Sequence, residues 1–191
     1  MTWMHAFIMI QSRSNHLVHD KMQAAGRGAK SKPRANGSSP GIFDGRGSSS
    51  RQRAGWLASW PAGGHRVGAL DRSRVTQVFD SGIRSLNALT TFGVGQRVGI
   101  VAGSGVGKSV LMDMIVDNAQ ADAVVVGLIG ERAREVSDFV TRHMAGDRAA
   151  KTAIVAVPAD HAANLRLRGA MLATSIAEHL RSQGKRVLLI L

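Results

Sequence analysis

Eight consecutive residues, Ala102-Gly103-Ser104-Gly105-Val106-Gly107-Lys108-Ser109, carry the most specific chemistry in this 191-residue sequence. Glycines at alternate positions let the backbone turn tightly, so that successive N–H groups converge on one anion. A helix opening directly after them points the positive end of its dipole at the same place. Lys108 then supplies a mobile point charge that reaches the outer phosphates of a nucleoside triphosphate, and the Ser109 hydroxyl is suited to the Mg²⁺ that bridges them. The chemistry is polyphosphate binding. Gly103, Ser104, Gly105, Val106, Gly107, Lys108 and Ser109 form the cradle, with ATP as ligand and Ser109 toward the metal. The competing reading is a glycine-rich turn between strand and helix with no ligand.

This tract resembles the Walker A motif, with Ala102 where the strict pattern has glycine. A second chemical group follows at Gly130-Glu131-Arg132-Ala133-Arg134-Glu135. Hydrolysis of ATP needs a carboxylate to orient the attacking water and take its proton, and Glu131 is the candidate. Arg132 or Arg134 could meet phosphate charge or hold the glutamate. The spacing leaves a plainer alternative open, in which Glu131 caps the next helix and answers its dipole.

Elements at fixed places must position these groups. Arg97 to Ala102 (RVGIVA) is a short strand leading into the glycines. Lys108 to Asn118 is a helix, with Val110, Leu111, Met114 and Ile115 at helical spacing. Ala123 to Ile129 (AVVVGLI) is a continuous apolar run, as a buried parallel strand requires. Glu131 to Met144 carries Val136, Phe139, Val140 and Met144 on one helical face. Thr152 to Val157 (TAIVAV) is a further strand. Asp160 or a near neighbour caps a long helix to Gln183, with Leu165, Leu172, Ile176 and Leu180 inward and Gly184 past its end. Arg186 to Leu191 (RVLLIL) is the last strand. Strand and helix alternate, which predicts an α/β fold with a mostly parallel sheet flanked by helices. In such a sheet the strand ends at the carboxyl edge face one crevice, so the glycine loop and Glu131 can share a site.

The net charge of +12 suggests nucleic acid until it is divided along the chain. Residues 1–70 hold ten Lys/Arg against two Asp, whereas residues 71–191 hold fifteen against eleven Asp/Glu. The excess sits in a first region rich in Gly, Ser, Arg, Lys and Pro, which is linker composition and predicts a disordered basic extension. Within it, Trp3 to Met22 can form a short amphipathic helix. Three Trp, five Phe and no Tyr leave few base-stacking platforms, so no nucleic-acid partner is expected. There is no Cys, which excludes disulfide scaffolds, thiolate metal sites and cysteine nucleophiles. No apolar run approaches the roughly 20 residues of a membrane span, and Ala6 to Ile10 is too short for a signal-peptide core. His5, His16 and His19 read as surface residues, the methionines as core filler, and Ser104 lacks an activating His and acid pair.

Beyond the motif, a longer resemblance appears. Phe79-Asp80-Ser81-Gly82-Ile83-Arg84-Ser85-Leu86-Asn87-Ala88-Leu89, then Gly93 to Ile100, the phosphate loop, Gly130-Glu131-Arg132 with Arg134-Glu135, and Ile176-Ala177-Glu178 through Val187-Leu188-Leu189 together resemble the ATPases of type III secretion and flagellar export. That family is related to the catalytic subunits of rotary ATP synthases. The tract Gly95-Gln96-Arg97 and the spelling AGSGVGKS favour the export branch over the synthase branch. The resemblance spans about residues 71–191. It implies a RecA-like P-loop ATP-binding domain and a cytoplasmic homohexamer, peripheral at a bacterial inner membrane, that releases export substrates from their chaperones. Carried over by position, it implies that Lys108 and Ser109 bind phosphate and Mg²⁺, that Glu131 positions the water, and that Arg132 lies near the phosphates.

The departures from that pattern are specific. Residues 1–70 do not resemble the small β-barrel with which the family begins. Ala133 stands where glycine is usual, and Pro158-Ala159-Asp160 stands where Thr-Ser-Asp is usual. The sequence ends at Leu191, at the close of the Walker B strand and before the position of the aspartate that supports Mg²⁺. The resemblance therefore implies a domain incomplete at its C-terminus, with weak nucleotide binding and no measurable hydrolysis by these residues alone. It also predicts a final strand left at an open sheet edge. A non-hydrolysing nucleotide-binding or interaction module is the alternative from another class.

Overall fold

The computed structural model describes residues 68–191 apart from Ser104 and Gly146, and the backbone of two strands at 4–11 and 42–44. In chain order the elements are β1 (Met4–Gln11), β2 (Ile42–Asp44), β3 (Val78–Phe79), α1 (Arg84–Leu89), β4 (Phe92–Gly93), β5 (Arg97–Ala102), α2 (Lys108–Asn118), β6 (Ala123–Ile129), α3 (Ala133–His143), β7 (Thr152–Val157), α4 (Ala163–Ser182) and β8 (Val187–Ile190). Short 3₁₀ turns lie at Ala69–Asp71 and Asp147–Lys151.

A six-stranded sheet runs in the order β2-β7-β6-β8-β1-β5, and β3 with β4 forms a separate two-stranded ribbon. The pairs β2–β7, β7–β6 and β6–β8 are parallel. β1 lies antiparallel to both β5 and β8, so those two strands run the same way. Their carboxyl ends therefore open on one edge, as the alternating pattern predicts.

Side chains alternate across the central strands and build a core on each face. On one face Val124, Val126, Leu128, Ile154, Leu188 and Ile190 meet Met112, Ile115 and Val116 of α2 and Phe139 of α3, closed off by Phe79 and Phe92 of the ribbon. On the other face Val125, Val155, Val187 and Leu189 meet Ala173, Ile176, Ala177 and Leu180 of α4. The result is the helix–sheet–helix layering expected of continuous apolar strands. α4 comes close to the sheet because Gly169 faces Val157 and Ile129 with no side chain of its own.

Several expectations are corrected. Met4–Gln11 is strand, not part of a helix from Trp3 to Met22. β8 is an interior strand, because β1 takes the place beside it; the predicted open edge belongs instead to β5. In α2 the core side chains are Met112, Ile115 and Val116, while Val110 and Met114 are exposed. α4 starts at Ala163 with Ala162 at its N-cap and no side-chain cap, and Asp160 pairs with His161 instead. Ile42–Asp44, also within the proposed extension at 1–70, is a strand of the sheet; apart from these two strands and residues 68–70 the extension, with His16 and His19, lies outside the described residues. Among the described residues no helix is long and apolar enough to cross a membrane.

His179 on α4 is held below the ordinary histidine value, first by burial and then by the Lys185 charge. The unfolded chain therefore binds the proton more readily than the folded one, so stability is complete above the ordinary value and falls as the pH drops through the folded one. His179→Gln is expected to flatten the fall in Tm between about pH 7.5 and pH 5.5, read as the difference between variant and wild-type melting curves. A parallel fall in both would refute it.

Candidate functional site

The site begins where β5 ends. Gly105 and Gly107 carry φ of +79° and +96°, in the left-handed region, and nothing lies within 4 Å of where a Cβ would stand on either. Backbone conformation, not crowding, requires glycine there. Gly107 is the N-cap of α2, makes no side-chain capping bond, and is followed by no acidic residue in the first turn. The first amides of α2 are thus left to an external acceptor. Gly103 lies on the same open loop, Val106 projects from its tip, and Ser104 lies outside the described residues.

The second half begins where β6 ends. Gly130 turns the chain with φ of +80°. Its N–H donates to the Val157 carbonyl at 2.8 Å, and the Ala159 N–H donates to the Glu131 carbonyl at 3.0 Å, so the ends of β6 and β7 are pinned together. The N-cap of α3 is Arg132, without a side-chain bond. Glu131 is therefore not the cap of that helix. Its side chain, 23% exposed, crosses to the phosphate loop, where Oε1 stands 3.3 Å from Lys108 Nζ.

Lys108 is only 8% exposed. An ammonium at that depth is costly unless it is paired, and Glu131 supplies the pairing. The lysine is thus held inside the molecule with one partner that it can exchange for another anion. Ser109, the next residue, is exposed. It borders a cavity of about 90 Å³ between α2 and α3, also lined by Glu131, Glu135, Asp138 and Arg142. That volume holds a few waters and no nucleotide, so a triphosphate would be received on the open loop. Among the described residues no group of three or more His, Asp or Glu has metal-holding geometry. The Ser109 hydroxyl stands on the exposed side of the loop.

The structure thus brings together Lys108, Ser109 and Glu131 and leaves Arg132 apart. The Arg132 side chain is 74% exposed and reaches Glu135 at 3.9 Å. Two features escaped sequence reasoning. The Arg166 guanidinium from α4 lies against Gly130, with Nη1 3.8 Å from where a Cβ would stand. Asp113 and Asp117 of α2 meet His143 of α3. The one-turn spacing of the two aspartates was visible; the histidine 26 residues beyond Asp117 gave no signal.

The chain is similar to known proteins. Residues 82–191 match the ATP synthase alpha/beta family, nucleotide-binding domain. The flagellum-specific ATP synthase of Salmonella typhimurium is 51% identical over 122 residues, covering 64% of this chain and 27% of that protein. That of Pseudomonas aeruginosa is 44% identical over 152 residues, covering 78% and 34%. Among solved structures, the assembled ATPase EscN from the enteropathogenic E. coli type III secretion system superposes with a TM-score of 0.65 at 36% identity, covering 80% of this chain and 38% of that one. The chain spans about a third or less of the length of the curated relatives it matches.

Proposed function

The chain belongs to the ATP synthase alpha/beta family, nucleotide-binding domain, and on that premise we propose that it carries the phosphate-gripping part of an ATP-hydrolysing site of the flagellar and type III export branch. The observation that supports this most directly is the 3.3 Å approach of Lys108 to Glu131, which joins a phosphate-loop lysine to a strand-end carboxylate. In this reading the amides of residues 103–109 wrap the β- and γ-phosphates, Lys108 leaves Glu131 to neutralise them, and the Ser109 hydroxyl holds Mg²⁺. Magnesium, when bound, neutralises charge on the transferring phosphoryl group. Glu131, released from the lysine, orients the attacking water and accepts its proton. Arg132, free in solvent apart from its distant contact with Glu135, would turn inward to meet phosphate charge.

For the full-length protein we propose the corresponding export role. It would be a cytoplasmic homohexamer, peripheral at the inner membrane, that uses ATP to free export substrates from their chaperones. The high identity to flagellum-specific ATP synthases supports this branch.

Titration calorimetry of residues 1–191 with ATP, ADP and AMP, with and without Mg²⁺, tests the site. Because the loop grips the outer phosphates, ATP should bind most tightly, ADP less so, and AMP at least about tenfold more weakly than ADP, since each lost charge-assisted contact is worth 1.5–3 kcal/mol. Equal heats for AMP and ATP would move recognition away from the loop and refute the assignment.

A further inference from the structure

The two halves of the site open two helices, and those helices are fastened together at a distance from the site. α2 begins with Lys108 and α3 begins just after Glu131. Asp113 and Asp117 stand one turn apart on α2, on the face that meets α3. His143, in the last turn of α3, is 4% exposed. Its Nε2 is 2.9 Å from Asp113 Oδ1 and its Nδ1 is 3.4 Å from Asp117 Oδ1. Arg142 Nη1 holds the other oxygen of Asp113 at 2.6 Å. Phe139 packs on the imidazole with ring centres 4.2 Å apart.

We propose that His143 is a positioning residue of the nucleotide site: clasped by Asp113 and Asp117, it fixes α2 against α3 and so sets the approach of Lys108 to Glu131. The proposal rests on the nucleotide-site reading above. The route between clasp and site is short and continuous. Phe139 and Arg142, which touch the histidine and Asp113, line the same cavity as Ser109 and Glu131. An ionised carboxylate only accepts hydrogen bonds, so a ring nitrogen that carries hydrogen can donate to the aspartate it faces. Among the described residues the charged groups facing the ring are Asp113 and Asp117 from α2 and Arg142 from α3 itself. β7, which packs against α3, has the sequence TAIVAV and brings no titratable group. With the clasp removed, α2 and α3 lose this fastening, and the site is less well pre-organised for a triphosphate.

The test compares the wild type with His143→Gln and Asp113→Asn. Asp113→Asn keeps the side-chain shape and carries the test if the histidine variant fails to fold. Mg·ATP affinity of each variant should fall about 2- to 30-fold, the range over which residues remote from a ligand modulate binding. Unchanged affinity in both variants would overturn the proposal. A second readout needs no nucleotide. Amide exchange in the free protein should quicken in His143→Gln at residues 105–112 and 131–136, near the site and away from the substitution. Quickening confined to residues 113–117 and 139–143 would make the clasp a local brace and overturn the proposal. If the wild type binds ATP without needing Lys108, the site reading fails while exchange still decides the clasp.

Discussion

Lys108→Ala is expected to weaken Mg·ATP binding about 100-fold, with little change in overall fold. A charge-assisted hydrogen bond contributes about 1.5–3 kcal/mol, and a lysine spanning two phosphates makes two of them. A net loss of about 3 kcal/mol corresponds to roughly a hundredfold in affinity. The ion pair makes the sign more informative than the size. Lys108 rests 3.3 Å from Glu131 before any phosphate arrives, so ATP must displace a carboxylate to reach it. In Lys108→Ala that carboxylate stays beside the loop unneutralised and repels the incoming phosphates, which deepens the loss. Glu131→Gln acts in the opposite direction. It frees the lysine and removes a negative charge, so ATP affinity should hold or rise up to about tenfold while any hydrolysis disappears. Calorimetry on the two variants separates the possibilities. If Glu131→Gln weakened binding as Lys108→Ala does, the pair would be a structural bridge and the site reading would be wrong.

The chain from β5 to β8 could be read in the sequence because buried parallel strands are continuous apolar runs. AVVVGLI and TAIVAV admit few other readings once glycine and charged residues bound them. The face of α2 could not be read in the same way. Apolar residues stand at 110, 111, 112, 114, 115 and 116, so periodicity alone selects no side. The choice of Met112 and Val116 over Val110 and Met114 is made by the sheet and by Phe79 and Phe92 above it. β1 was missed because its partners, β5 and β8, lie more than 80 residues along the chain, and the run MHAFIMIQ is short enough to suit helix or strand. That single strand also moved β8 from the expected edge to the interior. In the site, Lys108 and Glu131 were legible because motif and strand-end position constrain both. The choice between cap and site residue for Glu131 was not legible, since it depends on α3 starting at Ala133, two residues later than expected. The same shift leaves Arg132 at the N-cap with its side chain in solvent.

Gly82→Ala should destabilise the protein by about 3 kcal/mol, far more than a surface glycine usually would. Two separable effects act there. The φ of Gly82 is +72°, and a non-glycine residue in that region costs about 1 kcal/mol or more. An added methyl would also fall on the backbone carbonyl and Cβ of Asn118, the last residue of α2. Overpacking of that kind costs about 1–3 kcal/mol where nothing can move aside. Little can move here. Asp80 Oδ1 accepts the Gly82 N–H at 2.7 Å and the Asn87 amide at 2.6 Å. The Ser81 hydroxyl donates to Asn87 Oδ1 at 2.7 Å, and the Gln120 N–H donates to the Asp80 carbonyl at 3.0 Å. The Gly82 amide, and then the Asn87 side chain, also hold the Asp80 carboxyl below its ordinary value, so this support is present above that value and is lost on acidification. Gly95 separates the two effects. Its φ is +96°, yet nothing lies within 4 Å of its missing Cβ, so Gly95→Ala should show the conformational cost alone, about 1 kcal/mol. Melting temperatures are expected to fall by about 10 °C for Gly82→Ala and by about a third of that for Gly95→Ala. Equal falls would mean that the turn yields to the methyl, and that the seat of the phosphate-loop helix is softer than its hydrogen bonds indicate.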